Sequence, residues 1–251
     1  LVGLPRIEDS VRELSSVIES IISRWRRILL PLPRGLCEEL ILLSIEKSLD
    51  YEDLQTSIFR YLNSSLERIW RPVIRRIYEI SRRSEFWDRS VECYLENDFV
   101  ERLRETGYTL AYLLFQANVF NKVDLDRWLE LFRRDKRVLV ETLARELVSE
   151  EPTAVVVDSY VDFIELKKFS NNVRSCVVYK LIPTPLELLE IIGLDDRELA
   201  LEIVRWAIRY LNRVVYSREI SEVYREFLED NNYIVFTKSL GLDVIQDKCV
   251  F

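Results

Sequence analysis

Seven apolar residues near the start of the chain, Ile7, Val11, Leu14, Ile18, Ile21, Trp25 and Ile28, follow one another at intervals of four and three. Only a helix gathers such a set onto one face, here over about three heptads. The pattern predicts a long first helix whose stripe must be covered, either inside its own bundle or by a second helix from a partner or a homodimer. Pro31, Pro33 and Gly35 then break the chain. Three-and-four spacing without strand-like alternation continues to about residue 150. Helices are expected at about 35–49, at 50–83 behind a cap at Asp50, and at 85–96, 98–120, 124–134 and 136–149. Within the second of these, Asn63-Ser64-Ser65 with Glu67 reads as a new helix start, and Pro72 as a kink or restart.

The texture changes at Glu150-Glu151-Pro152. Thr153-Ala-Val-Val-Val-Asp158 is a continuous apolar run ending in a carboxylate, which suits a strand buried on both faces of a parallel sheet. Cys176 to Ile182 reads as a second strand. Thr184-Pro185-Leu186-Glu187 then combines an N-cap, a proline at the first helical position and a capping box. That helix is expected to end near Gly193. Further helices at about 196–210 and 218–230 alternate with strands at Val214-Val215-Tyr216, Tyr233 to Thr237 and Lys248 to Phe251. The expected fold is therefore mixed. An N-terminal all-α helical bundle, residues 1–150, precedes a small α/β domain with a mainly parallel sheet, residues 151–251.

Composition narrows the chemistry. The 251 residues include no His and no Met, which excludes a His-based triad, a His-ligated zinc or haem and an imidazole switch. Neither G-x-G-x-x-G nor G-x-x-x-x-G-K-[ST] occurs, so carboxylates must carry most of any catalysis. Lys and Arg number 36 against 43 Asp and Glu, and a net charge of −7 argues against nonspecific coating of nucleic acid. Arg outnumbers Lys 28 to 8 and Gln occurs three times, a bias that fits a thermophile. Cys37, Cys93, Cys176 and Cys249 are widely spaced among apolar neighbours and read as small buried hydrophobes, an intracellular disulfide being the alternative in a thermophile. With no membrane-length apolar run and no signal-peptide pattern, a cytoplasmic setting without membrane contact is expected.

In open parallel sheets ligands gather outside the carboxyl ends of the strands, so Asp158 is the first candidate site residue, as a loop cap or as a metal ligand. The run Val155-Val-Val-Asp-Ser-Tyr-Val-Asp-Phe-Ile-Glu-Leu166 resembles the opening of a PIN-domain nuclease. Val177 to Glu190 is similar to that family's second strand and Glu-bearing helix. Glu219 or Glu222 with Ile234-Val-Phe-Thr-Lys-Ser239 partly matches its last landmarks. The likeness covers about residues 153–251. It implies a carboxylate site that binds Mg²⁺ or Mn²⁺ and hydrolyses RNA, with catalytic residues among Asp158, Glu187, Glu190, Glu219, Glu222 and Asp243. Asp158, Glu190 and Glu222 would be the metal ligands. Hard oxygen donors are what such ions require, and no His is needed. Ser239 stands where the family has its fourth Asp, and Asp243 follows four residues later.

A second surface is basic. On a helix, Arg68, Arg71, Arg75 and Arg82 fall opposite Leu62, Leu66, Ile69, Val73 and Ile80, and could track an RNA backbone with stacking from Trp70 or Tyr78. The alternative is a solvated face laced with pairs such as Arg75 with Glu79. Two functions follow. One is a PIN-like, Mg²⁺- or Mn²⁺-dependent ribonuclease with a helical substrate- or partner-binding domain. The other is a catalytically inactive scaffold that binds nucleic acid or a partner helix, the helix through the Ile7 to Ile28 stripe.

Overall fold

The computed structural model describes residues 1–45, 51–83, 88–132, 137–169, 173–191 and 196–250. The expected cap at Asp50, the helix end at Gly193 and Phe251 lie outside them. The fold is mixed α/β, built on one parallel sheet of five strands: β1 (Val2–Gly3), β2 (Arg27–Pro33), β3 (Ser90–Leu95), β4 (Thr153–Val157) and β5 (Cys176–Val177), in the order β3-β2-β4-β1-β5. Three of the strands come from the first 95 residues, which were expected to be helical, and β4 is inserted between β2 and β1. The sheet therefore draws on both sides of the expected boundary at residue 150.

The strand β2 shows why the periodicity misled. Trp25 and Ile28 continue the heptad register of the first helix, α1 (Glu8–Arg24), but the chain has already left the helix at Trp25. Ile28, Leu29 and Leu30 form a continuous apolar run buried on both faces, the signature of an inner parallel strand. Pro31 and Pro33 lack the N–H a ladder needs. They sit where the register with β3 slips and beyond the last residue paired with β4. Residues 90–95, expected in a helix, pair instead with β2 as β3.

Side chains alternate across the sheet. Ile28, Leu30, Leu32, Ala154 and Val156 face one layer, in which α1 packs against α4 (Ser64–Ser81), beside α2 (Arg34–Ile45) and α3 (Tyr51–Tyr61). Leu29, Val155 and Val157 face the other, formed by α7 (Arg137–Leu147) and α8 (Tyr160–Phe169). A Cβ on Gly3 would stand 2.5 Å from the Phe163 ring, so glycine lets α8 lie close on β1. Helix α4 starts at Asn63, whose side chain accepts from the Leu66 amide, and it runs through Pro72 without restarting.

A third apolar cluster joins α6 (Leu125–Phe132), α9 (Pro185–Ile191), α10 (Arg197–Tyr216), α11 (Ile220–Glu229) and α12 (Asn231–Ser239), with Leu113 of α5 (Phe99–Phe120). Two expected strands belong to these helices. Residues 214–216 are the last turn of α10. Residues 233–237 are helical because Asp230 accepts from the amides of Asn232 and Tyr233 and starts α12, turning Tyr233 and Phe236 onto Trp206. Near the C-terminus, in place of the expected strand from Lys248, the described residues form two isolated bridges, Lys248 to Val177 and Ile245 to Leu181.

The cysteines are paired, not merely buried. Cys37 of α2 is joined to Cys93 of β3, and Cys176 of β5 to Cys249. Their wide sequence spacing concealed this, because the sheet brings them together. Among the described residues no helix is long and apolar enough to cross a membrane.

Candidate functional site

Asp158 stands where expected, directly after β4 at the carboxyl end of a central strand, and it is buried. Arg6 leaves the end of neighbouring β1 after Pro5 and meets it as a fork, Nε to Oδ2 at 2.5 Å and Nη2 to Oδ1 at 2.9 Å. Such two-pronged pairing is the strongest arrangement for these groups. The guanidinium also lies 5.3 Å from the centre of the Phe99 ring. Burial alone would lower the Arg6 pKa, but the charge and hydrogen bonds of Asp158, with Tyr94 and Asp162, leave it raised. Tyr94 donates to the Val156 carbonyl, and its pKa is pushed far up by burial and then by Asp158 and Asp162. Each Asp158 oxygen thus accepts from Arg6, in a half-open pair at the sheet's carboxyl edge.

Glu187 is the capping residue its motif predicted, and it does more. Its Oε2 accepts from the Thr184 amide and hydroxyl at 2.8 and 2.9 Å, while Oε1 accepts from the Tyr160 amide at 2.7 Å. One carboxylate therefore caps α9 and α8 together. Burial raises its pKa most, backbone bonds from Thr184 and Tyr160 oppose this, and the charge of Glu190 adds to the rise. Glu190 lies one turn on in α9 and shares that neighbourhood.

The remaining acids point to other tasks. Glu219 accepts from Arg12 Nη2 at 3.0 Å, Glu222 is exposed in the first turn of α11, and Asp243 is exposed, with its backbone carbonyl accepting from the Tyr160 hydroxyl at 3.0 Å. Among the described residues no group of three or more Cys, Asp or Glu is placed to hold a metal ion. In this arrangement Asp158 is bonded to Arg6 and Glu187 to the amides of two helix starts.

The arginines are likewise engaged. Arg68 reaches Glu8, Arg71 forks onto Glu67 at 2.6 and 2.7 Å, and Arg75 meets Glu79 at 3.1 Å. Arg82 donates to the Tyr78 hydroxyl and lies over its ring. Trp70 and Tyr78 are buried and offer no stacking face. The Ile7 to Ile28 stripe is also closed: Ile7, Val11, Leu14, Ile18, Ile21 and Ile28 are at most 2% exposed, and Trp25 is partly buried. The expected partner surface on the first helix is therefore interior, covered by α4 and the sheet.

An open apolar stripe lies on α5, a helix with no site residue expected on it. At about 100° per residue, its inner face carries Phe99, Leu103, Leu110 and Leu113, packed on the body of the molecule. On the opposite face Tyr108, Tyr112, Phe115 and Val119 form a second stripe, 71%, 50%, 52% and 58% exposed. Their 4-3-4 spacing repeats that of α1 and was legible as such. Asn121, in the left-handed conformation at φ 51°, ends the helix, and Lys122 donates back to the Gln116 carbonyl. Asn118 and Asn212 exchange amide bonds, at 2.7 and 3.1 Å, and tie α5 to α10.

No protein-family model matches the chain, and no curated protein or solved structure matches it.

Proposed function

We propose that the chain is a non-hydrolytic interaction protein, docking a helix on the outer face of α5, rather than the metal-dependent ribonuclease its PIN-like landmarks suggest. The observation that carries this reading is the line Tyr108, Tyr112, Phe115 and Val119, large apolar side chains left open on one face of a well-anchored helix. Contiguous apolar surface of this kind marks interaction sites. The engaged state of Asp158 and Glu187 supports the same conclusion, because an acid already satisfied by Arg6 or by two helix ends is a fastening of the fold. A cytoplasmic setting in a thermophile belongs to this proposal, since two disulfides are compatible with a hyperthermophile's interior.

The test is cleavage of labelled single-stranded RNA with Mn²⁺ or Mg²⁺ at elevated temperature, comparing the chain with Asp158→Asn. The proposal predicts no cleavage by either. Metal-dependent cleavage lost in Asp158→Asn would restore the nuclease reading. Its positive arm places a photoreactive benzoyl-phenylalanine at position 115 in cells. Adducts are expected there and not from the polar position Glu198 on α10, and equal yields from both would contradict the docking role.

A further inference from the structure

Resting on that reading, we infer that the occupant of the α5 face is a second copy of this chain, packed antiparallel about a two-fold axis that crosses the helix between Leu113 and Leu114. The argument is the stripe's complementarity to its own reverse. With the axis there, Tyr108 lies against the partner's Val119, and Tyr112 against the partner's Phe115. A ring thus meets a smaller side chain at each end of the stripe, and rings meet rings at its centre. The same operation sets Glu105, at the start of the stripe, opposite the partner's Lys122, just past its end. Glu105 and Lys122 are both exposed. Two opposite-charge pairs would therefore flank the apolar centre and set the antiparallel direction. A parallel pairing would place Glu105 against Glu105, and like charges would oppose it.

The surface available matches the task. From their exposures, these four side chains present roughly 400 Å² per protomer, taking 150–250 Å² for a buried aromatic ring. That is about half of the ~800 Å² per partner of a standard stable interface. Arg104, Ala111 and Phe120 on the same helix, with Glu105 and Lys122, lie beside it to supply the rest. A self-complementary patch of this kind closes as a two-fold dimer, leaving no open end for a filament.

Sedimentation velocity of the full chain tests this. A concentration-dependent dimer is expected by about 100 µM. Tyr112→Glu should weaken it about 100-fold, as loss of a central aromatic anchor on both sides of the axis does, with thermal unfolding of the monomer unchanged. Glu105→Lys and Lys122→Glu should each weaken it about 3- to 10-fold, and the double variant should recover the original affinity. A chain that stays monomeric, a dimer indifferent to Tyr112→Glu, or charge variants that do not rescue each other would overturn the inference. A monomer that still forms adducts with other proteins from position 115 would leave the docking reading standing with a different occupant. A monomer with no such adducts would remove both.

Discussion

Helices α1 and α5 carry the same device, apolar residues spaced by fours and threes, and use it in opposite ways. The α1 stripe is aliphatic and fully enclosed between α4 and the sheet. That of α5, three aromatic rings and a valine, is open, while a different face of the same helix, rich in leucine, holds it to the body. Spacing alone declares that a stripe exists. What decides its use is whether the helix has another face with which to anchor itself, and α5 has one where α1 does not.

The comparison can be broken on the α1 side, where effects are largest. Replacing Cys37 and Cys93 by Ser, which unfastens α2 from β3 within the layer that covers α1, should cost about 4 kcal/mol in urea denaturation, as expected for a loop of that length. Ile18→Ala, at a fully buried position of the stripe, should cost about 3 kcal/mol by the same measurement. Arg6→Ala strands the buried Asp158 at the entrance to α1 and should cost about 2 kcal/mol, less than a fully enclosed pair because the Arg6 side chain is 31% exposed.

Two smaller effects sharpen it. Glu187 has a folded pKa above its unfolded one, so the native state binds the extra proton. Its contribution is then full below the ordinary glutamate range and declines as pH rises through the raised value. A pH series of melting temperatures should show that decline, and Glu187→Gln should remove it. Last, Tyr112→Ala on α5 should change the monomer's stability by less than about 0.5 kcal/mol, since the ring covers no core. A large loss there would mean the open stripe is structural after all.

Much of this architecture was legible, and the failures have physical reasons. Val155-Val156-Val157 announced a strand buried on both faces, and Thr184-Pro185 with Glu187 announced a helix start, because burial and capping leave local marks. The strand Arg27–Pro33 did not announce itself, since Trp25 and Ile28 happened to keep the helical register. Val2–Gly3 is too short to show any period, so Arg6 gave no sign that it would close over Asp158. Asp158 was found from its position at a strand end, but its pairing depends on β1 lying beside β4, a contact between residues more than 150 apart. Residues 233–237 carry β-branched and aromatic side chains suited to a strand, and the Asp230 cap overrode them.

Hydroxyl-radical footprinting across a concentration series tests the contrast between the two stripes most directly. The account predicts that oxidation of Tyr108, Tyr112 and Phe115 falls as concentration rises, while the exposed Phe59 and Phe169 stay equally labelled and the α1 stripe is unlabelled throughout. Labelling of the α5 rings that keeps pace with Phe59 and Phe169 at every concentration would contradict it.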